Sequence, residues 1–510
     1  MQNKKNFLIM LMLVVFLGAG LRIYNLGNTS FDRDEFFELN SSYGYFKTGT
    51  WVAWDFGNEK PFEASLQDKT STERAEIYRW QLAQVYKFFE PTEISTRAIS
   101  VFWGIVSILA IYFVTLSFTG NYWTALLAAF LVAVGESGIV YSRRLRMYSM
   151  LFPVYLIFSW CVFKFYETKY IGKNKFFKLA SDKLNVNLLY ILPVIITGIV
   201  SYNVHMLSVS IVVAIFSFCV CSWFLWERKS GKINKYSITL GMIFIAYLIV
   251  SLTPSLAKFY KSFKKQVELF KFNYNYFTEY FTDFIFPIVG LVLALIGVWY
   301  LFEKMKRKKE AVFLFLSAFA VLAFAVFTWD RTPSGRYIYF IQSFGIILVS
   351  VGIYALFIYL TDYIKKHKKI AGIILLIFFL VLMDWSYFKK ENNIYAHTKN
   401  SYYPDFKNIF PYILENKKDG DVFFTRSYRS YYWQGEKIKV IDLQSLPFEK
   451  KDCLKNVSEV MAKNPKGWFI LPKIDMNLIC KDGIKYLDDN FEKVKDEHIP
   501  TSVSVYRWGG

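Results

Sequence analysis

Three acids crowd the end of one short stretch, RIYNLGNTSFDRDE (22–35): Asp32, Asp34 and Glu35. The stretch begins just past the first hydrophobic segment of the chain. Carboxylates so near the exit of an apolar segment are costly unless they face water or a partner, which makes them functional candidates. The plain alternative is a solvated loop with ordinary surface charge. Two later stretches carry the opposite sign. YSRRLRMYS (141–149) and WDRTPSGRY (329–337) supply Arg143, Arg144, Arg146, Arg331 and Arg336. One or two arginines at helix ends are explained by snorkelling to headgroups; five are explained less well. A basic rim facing an acidic loop would suit a lipid-linked phosphate and a reacting hydroxyl, because guanidinium groups bind oxyanions and a carboxylate can take a proton.

These residues need elements to position them. The 510-residue chain is 54% hydrophobic and 20% aromatic. A membrane-spanning helix takes about 20 apolar residues, and about eleven such runs are present: 7–23, 99–118, 122–140, 149–166, 187–203, 207–226, 236–253, 282–302, 311–328, 337–360 and 369–386. The net charge of +20 does not point to nucleic acid. Much of it sits in short loops, as the positive-inside rule describes. Lys4 and Lys5, the lysines of 167–186 and 227–235, EKMKRKKE (303–310) and KKHKK (365–369) all fall on one side of the alternation. That places the N-terminus in the cytoplasm of a multi-pass cell-membrane protein, with 24–98 and 388–510 outside. The first span lacks a small-residue cleavage site and reads as a retained anchor.

The first outer loop, 24–98, is too long for a simple connection. Within it, 70–90 reads as an amphipathic helix with Ile77, Trp80, Leu82, Val85, Phe88 and Phe89 on the apolar side and Ser71 or Thr72 as cap. The stretch 254–281 reads as a second interfacial segment, rich in lysine and aromatics. The transmembrane part runs to 387. From 388 the composition shifts, and 421–425, 439–443, 467–472 and 502–508 read as strands, with helices near 404–416 and 451–463. The fold class is therefore mostly α: a polytopic membrane protein with a small C-terminal α/β domain outside. Cys161, Cys219 and Cys221 lie in spans as packing residues; Cys453 and Cys480 lie in the exported domain, which leaves a disulfide open. There is no internal repeat, zinc pattern, P-loop or dinucleotide fingerprint.

The order of the outer motifs resembles the GT-C glycosyltransferases of the family 39 type, which include protein O-mannosyltransferases and lipid A aminoarabinose transferases. The Asp-Glu pair of that family is matched by Asp34-Glu35, and its Lys-Pro by Lys60-Pro61. Its Ser-Arg-x-x-Arg-Met-Tyr stretch is matched by Ser142, Arg143, Arg146, Met147 and Tyr148, and its late Arg-Tyr by Arg336-Tyr337. The resemblance covers most of 1–350. Phe62 stands where the family often has a second proline. No WWDYG motif is present; YYWQG (431–435) has Gln in place of the acid, which argues against en bloc oligosaccharide transfer to asparagine.

The resemblance implies a polyprenyl-phosphate-linked sugar as donor and a lipid, glycan or protein acceptor among membrane lipids. A single displacement would invert the anomeric carbon. Asp34 would act as base, with Asp32 as its rival, and Glu35 would position it or contact the sugar. Arg146, Arg336 and Lys60 would face the phosphate; Arg143, Tyr148, His205, Arg331 and Tyr337 complete the substrate-binding candidates. His205 reads equally well as a helix-end residue. Glu136 would face the cavity or pair with an arginine. No metal ligand set is evident and no cofactor is firmly implied, a divalent cation being left open. Two other classes fit less well: a lipid-linked glycan polymerase or ligase, and a transporter or flippase. The last should carry polar groups deep in its spans, whereas here they gather at one face.

Overall fold

A computed structural model of the chain describes residues 2–62, 75–228, 234–253, 271–329, 334–364, 368–389, 394–398, 404–426, 431–446 and 453–509. It divides into two compact units. One comprises Met1–Ile23, Ser100–Ser142 and Met147–Asp384; the other comprises Tyr24–Ile99, Arg143–Arg146 and Trp385–Gly510.

The first unit is a bundle of apolar helices. All eleven expected runs contain helix, but not all are simple spans. Among the described residues, eight helices are long and apolar enough to cross a membrane alone: Lys5–Ile23, Glu93–Thr119, Tyr148–Glu167, Met206–Glu227, Lys235–Leu252, Pro287–Lys304, Lys308–Thr328 and Tyr339–Tyr363. Two further runs belong to bent pairs, Tyr122–Val134 with Glu136–Ser142 (56°) and Lys175–Leu184 with Leu188–Val204 (108°), so the count among the described residues reaches up to ten. The eleventh, Lys368–Leu382, has only 15 residues. Many apolar side chains on these helices remain uncovered, among them Leu192, Ile199, Phe244 and Leu252. Such a surface is at home in lipid and a liability in water. The helices Pro287–Trp299 and Tyr339–Tyr363 approach backbone to backbone. A Cβ on Gly297 would lie 1.9 Å from the Leu348 carbonyl oxygen, and one on Gly352 would lie 2.0 Å from that of Leu293. Close crossing at small residues is how helices associate where lipid removes the hydrophobic drive.

The 56° bend is built, not accidental. Gly135 leaves the helical region (φ −65°, ψ 136°), and a Cβ there would meet the Leu131 carbonyl oxygen at 2.7 Å. Breaking a helix frees carbonyls on one side and N–H groups on the other, and lipid offers neither a partner. Arg22, fully buried, donates to the freed carbonyls of Ala133 (2.9 Å) and Val132 (2.8 Å). On the other side Asp283 accepts from the Ser137 N–H (2.9 Å) and hydroxyl (2.6 Å).

The second unit contains the helix Arg33–Thr48, capped by Asp32 and ended by Gly49 at φ 71°, and the helix Glu76–Val85. Of the amphipathic helix expected over 70–90, the described residues form Glu76–Val85. Tyr78 and Leu82 are buried, while Trp80, Phe88 and Phe89 are exposed. The buried face also holds Arg79, whose partner is a glutamate, and apolar periodicity alone could not reveal that. The proposed caps Ser71 and Thr72 lie outside the described residues, as does most of 254–281; its remainder includes the short helix Asn275–Tyr280. A hairpin pairs β1 (Trp54–Asp55) with β2 (Lys60–Pro61).

The C-terminal segment folds as expected, with one strand and one helix more. Its sheet runs β4 (Lys439–Asp442), β3 (Val422–Thr425), β5 (Gly467–Pro472), β7 (Val503–Trp508), β6 (Glu492–Lys493). β3 is parallel to both neighbours, and β7 is antiparallel to its own. The central strand β5 is buried along its whole length. The helices Cys453–Ala462 and Lys481–Asn490 pack Val457 and Leu487 into a core with Phe424, Phe469 and Tyr506. Cys453 and Cys480 form a disulfide. A cross-link between residues 27 apart contributes roughly 3.5 kcal/mol by restricting the unfolded chain. The double variant Cys453→Ser/Cys480→Ser is therefore expected to lose about 2–4 kcal/mol, seen as an earlier limited-proteolysis midpoint of the full chain. An unchanged midpoint, with both thiols labelled in untreated protein, would contradict the cross-link.

Candidate active site

The acid stretch opens the helix Arg33–Thr48. Asp32 is its N-cap: its side chain accepts from the Glu35 N–H (2.9 Å), and Glu35 Oε2 accepts from the Asp32 N–H (2.9 Å). This reciprocal capping box is a common way to satisfy the first orphan donors of a helix. The rival base thus has structural work. Burial, together with the charges of Glu35 and Asp34, raises the Asp32 carboxyl above the usual range against the pull of Arg144.

Glu35 is committed as well. Oε1 accepts from Arg97 Nε (2.8 Å) and the Leu145 N–H (2.7 Å); Oε2 accepts from Arg97 Nη2 (2.8 Å) and from Asp32. Burial alone would push this carboxyl up, but the Arg97 charge and the surrounding donors hold it below the usual carboxylate range. Arg97 in turn donates to the carbonyls of Leu26, Thr29 and Ser30, fixing the loop before the helix. One turn on, fully buried Glu38 binds Arg79 (2.6 Å) and Arg146 (2.8 Å).

Asp34 differs from both. Its side chain is 35% exposed, and Arg146 Nη2 lies 4.0 Å from Oδ2. Arg146 also donates to the Asp34 main-chain carbonyl (2.9 Å). Of the carboxylates at 34, 35 and 38, only Asp34 retains substantial access to solvent, and it is flanked by two neutralised pairs.

The expected site residues fall into two groups, one in each unit. Asp34, Glu35, Arg143, Arg146 and Lys60 belong to the second unit. There Arg143 donates to the carbonyls of Asn25 (3.1 Å) and Ile394 (3.2 Å) and stacks on Tyr395; burial pushes its guanidinium down to about 10. Those bonds give Arg143 a structural place. Lys60 is exposed on β2. Tyr148, His205, Arg336 and Tyr337 belong to the first unit. Tyr148 is buried with its ring 5.5 Å from His205. His205 Nδ1 accepts from the Leu207 N–H (3.1 Å), which makes it the cap of a 3-10 turn, the helix-end alternative. Arg336 lies over the Tyr337 ring. Glu136 opens the second half of the bent span. Arg331 lies outside the described residues.

Sequence reasoning missed Arg97, Glu38 and Arg79. Glu38 left a signal, standing three residues after Glu35 on the same helix face; the two arginines left none. YYWQG is also explained. Tyr431 and Tyr432 donate to Glu93, and Trp433 is wholly buried against Phe410. This motif builds core. Among the described residues no three His, Cys, Asp or Glu side chains gather to hold a metal ion.

No protein-family model matches the chain, and no curated protein matches it in sequence. Solved structures do match. The archaeal oligosaccharyltransferase AglB from Archaeoglobus fulgidus, in complex with an inhibitory peptide and a dolichol-phosphate, superposes with a TM-score of 0.61 at 11% identity, over 92% of this chain and 70% of that one. ArnT from Cupriavidus metallidurans, bound to undecaprenyl phosphate, superposes with a TM-score of 0.54 at 10% identity, over 98% and 97% of the two chains. The chain has the GT-C fold. It is a polytopic membrane protein, and the match to ArnT runs from end to end. At these identities the likeness concerns the GT-C fold, and the chemistry must be argued from this chain's own residues.

Proposed function

We propose that this protein transfers a sugar from a polyprenyl-phosphate-linked donor to an acceptor hydroxyl on the extracytoplasmic side of the membrane. The observation that carries the reading is the partial exposure of Asp34 beside Glu35 and Glu38, both locked in buried ion pairs. In the reaction the acceptor O–H proton passes to the Asp34 carboxylate. The acceptor oxygen bonds to the anomeric carbon, the bond from that carbon to the phosphate oxygen breaks, and its electron pair leaves with polyprenyl phosphate. Configuration inverts. Glu35, through Arg97 and the capping box, holds the helix start that carries Asp34. Arg146 orients Asp34, and a guanidinium suits the leaving phosphate, which it can bind through two hydrogen bonds. Two neighbours of the same fold bind dolichol-phosphate and undecaprenyl phosphate. The orientation is supported by the lysine-rich loops and by the disulfide, which persists in oxidising compartments.

The test is transfer of labelled sugar from a polyprenyl phosphate monosaccharide by purified protein, scored by the new glycosidic bond and its anomeric configuration. Movement of intact donor across a vesicle membrane without bond formation would favour the transporter reading. Arg146→Ala is expected to lower transfer roughly tenfold or more, with Arg146→Lys recovering only part of it. Unchanged transfer by Arg146→Ala would remove Arg146 from the site.

A further inference from the structure

A second charged cluster in the same unit has no part in the scheme above. Asp475 lies in the 3-10 turn Lys473–Leu478 that follows β5, and it is wholly buried. Its Oδ1 accepts from two arginines, Arg33 Nη2 and Arg426 Nη1, the latter at 3.3 Å. Arg33 is the first residue of the helix Arg33–Thr48 and the immediate neighbour of Asp34; Arg426 follows the last residue of β3. Two guanidinium groups on one carboxylate leave a net charge of +1. Both arginines keep part of the side chain in solvent, 27% for Arg33 and 25% for Arg426. Each spends one nitrogen on Asp475, while Arg33 Nε and Asp475 Oδ2 are buried without a hydrogen-bond partner.

A structural pin needs one arginine, and it satisfies the groups it buries. Here a second cation has been recruited, yet two buried polar atoms stay unsatisfied, and in a folded protein such groups call for an explanation. Sharing one acceptor atom keeps the two donor nitrogens within roughly 6 Å of each other, close enough for both to donate to one small oxyanion. Guanidinium groups favour phosphate and carboxylate because their forked donors match those planar or tetrahedral oxygens.

We propose that Arg33 and Arg426, held by Asp475, bind an oxyanion, phosphate ester or carboxylate, carried by the acceptor beside its reacting hydroxyl. The proposal rests on the transferase reading in one respect, that an acceptor hydroxyl is brought to Asp34. Arg33 and Asp34 are consecutive on one helix, so an acceptor gripped at Arg33 would be held at the helix start that carries Asp34. Acceptor choice would then be set by an anion at this site and not by the sugar being moved.

Full-length protein in detergent is titrated with sodium phosphate against sodium chloride of equal ionic strength, with thermal stability as the readout. Wild type and Asp34→Asn should both show a saturable rise with phosphate. Arg33→Gln and Arg426→Gln, each leaving Asp475 one partner, should lose it, and Arg426→Lys should keep part. No phosphate-specific rise in wild type, or a rise that persists in both glutamine variants, overturns the site. The same protein is then incubated with phosphatidylglycerol or phosphatidylcholine vesicles. If the anionic vesicles abolish the phosphate response and neutral ones do not, the group bound is a membrane headgroup and the acceptor assignment falls. In the transfer assay, Arg426→Gln should raise the acceptor KM roughly tenfold or more and leave the donor KM where it was; a donor KM that rises instead also overturns it. Because the phosphate titration needs no turnover, loss of the base assignment and loss of this site are read separately.

Discussion

Asp34→Asn is expected to abolish most sugar transfer, by about 10² to 10⁴, with lipid donor still bound about as well as by wild type. A general base contributes that range in rate, roughly 3 to 5 kcal/mol of barrier. The substitution keeps the shape and removes proton acceptance. The fold should tolerate it, because the side chain is 35% exposed and its main-chain carbonyl, not its carboxylate, takes the closer bond from Arg146. Asp32→Asn is the control. Asn caps a helix about as well as Asp, so this variant should retain most transfer. The measurement is transfer by each variant in matched membranes, with donor binding scored separately. Near-normal transfer by Asp34→Asn removes the base assignment. Loss of donor binding alone would make Asp34 a binding residue.

Glu35→Gln should act on folding before it acts on turnover. Removing one partner of a buried ion pair leaves the other charge uncompensated, at a cost of about 3–5 kcal/mol. Arg97 would be left beside the carbonyls of Leu26, Thr29 and Ser30 with no counter-charge at Glu35. The expected result is a sharp fall in folded protein recovered in detergent. The paired change Glu35→Leu/Arg97→Met should recover only the part due to the stranded charge, since the carbonyls of Leu26, Thr29 and Ser30 and the N–H groups of Asp32 and Leu145 also lose their partners. The pH dependence follows the same bond. The folded-state carboxyl of Glu35 is held below its ordinary value of 4.5, so its contribution is present in full above that value and is lost as pH falls through the depressed one. The variant should therefore lack this part of the acid sensitivity of wild type. If Glu35→Gln folds as well as wild type yet cannot transfer sugar, Glu35 works on the substrate and not on the scaffold.

Much of this molecule could be read from sequence wherever the signal was local. Apolar runs marked every helical span, and alternation with turn residues marked β3, β4, β5 and β7. The Asp-Glu pair after the first span marked Asp34 and Glu35 as candidates, but not the helix Arg33–Thr48 that carries them. What stayed hidden was remote pairing. Glu35 and Arg97 stand 62 residues apart, and Arg33 and Asp475 stand 442 apart. An arginine destined for burial looks, in sequence, like any surface arginine until its acceptor is known. For the same reason nothing in 76–85 marked Arg79 as the buried partner of Glu38. Pattern also could not tell a straight span from a broken one: Gly135 is one small residue in an apolar run, and the groups that accept its break lie far along the chain.

The bend at Gly135 also bears on how the chain is made. Arg22 leaves the ribosome about 110 residues before the Val132 and Ala133 carbonyls it will bind. Asp283 leaves it 146 residues after the Ser137 N–H that it caps. At synthesis rates of about 5–20 residues per second, the second gap lasts roughly 7 to 30 s. Throughout that interval the half-helix beginning at Glu136 has no Asp283 at its N-terminal end. Until the segment bearing Asp283 is made, the Ser137 N–H and hydroxyl are without this acceptor, so the cap of the broken span is completed late in synthesis.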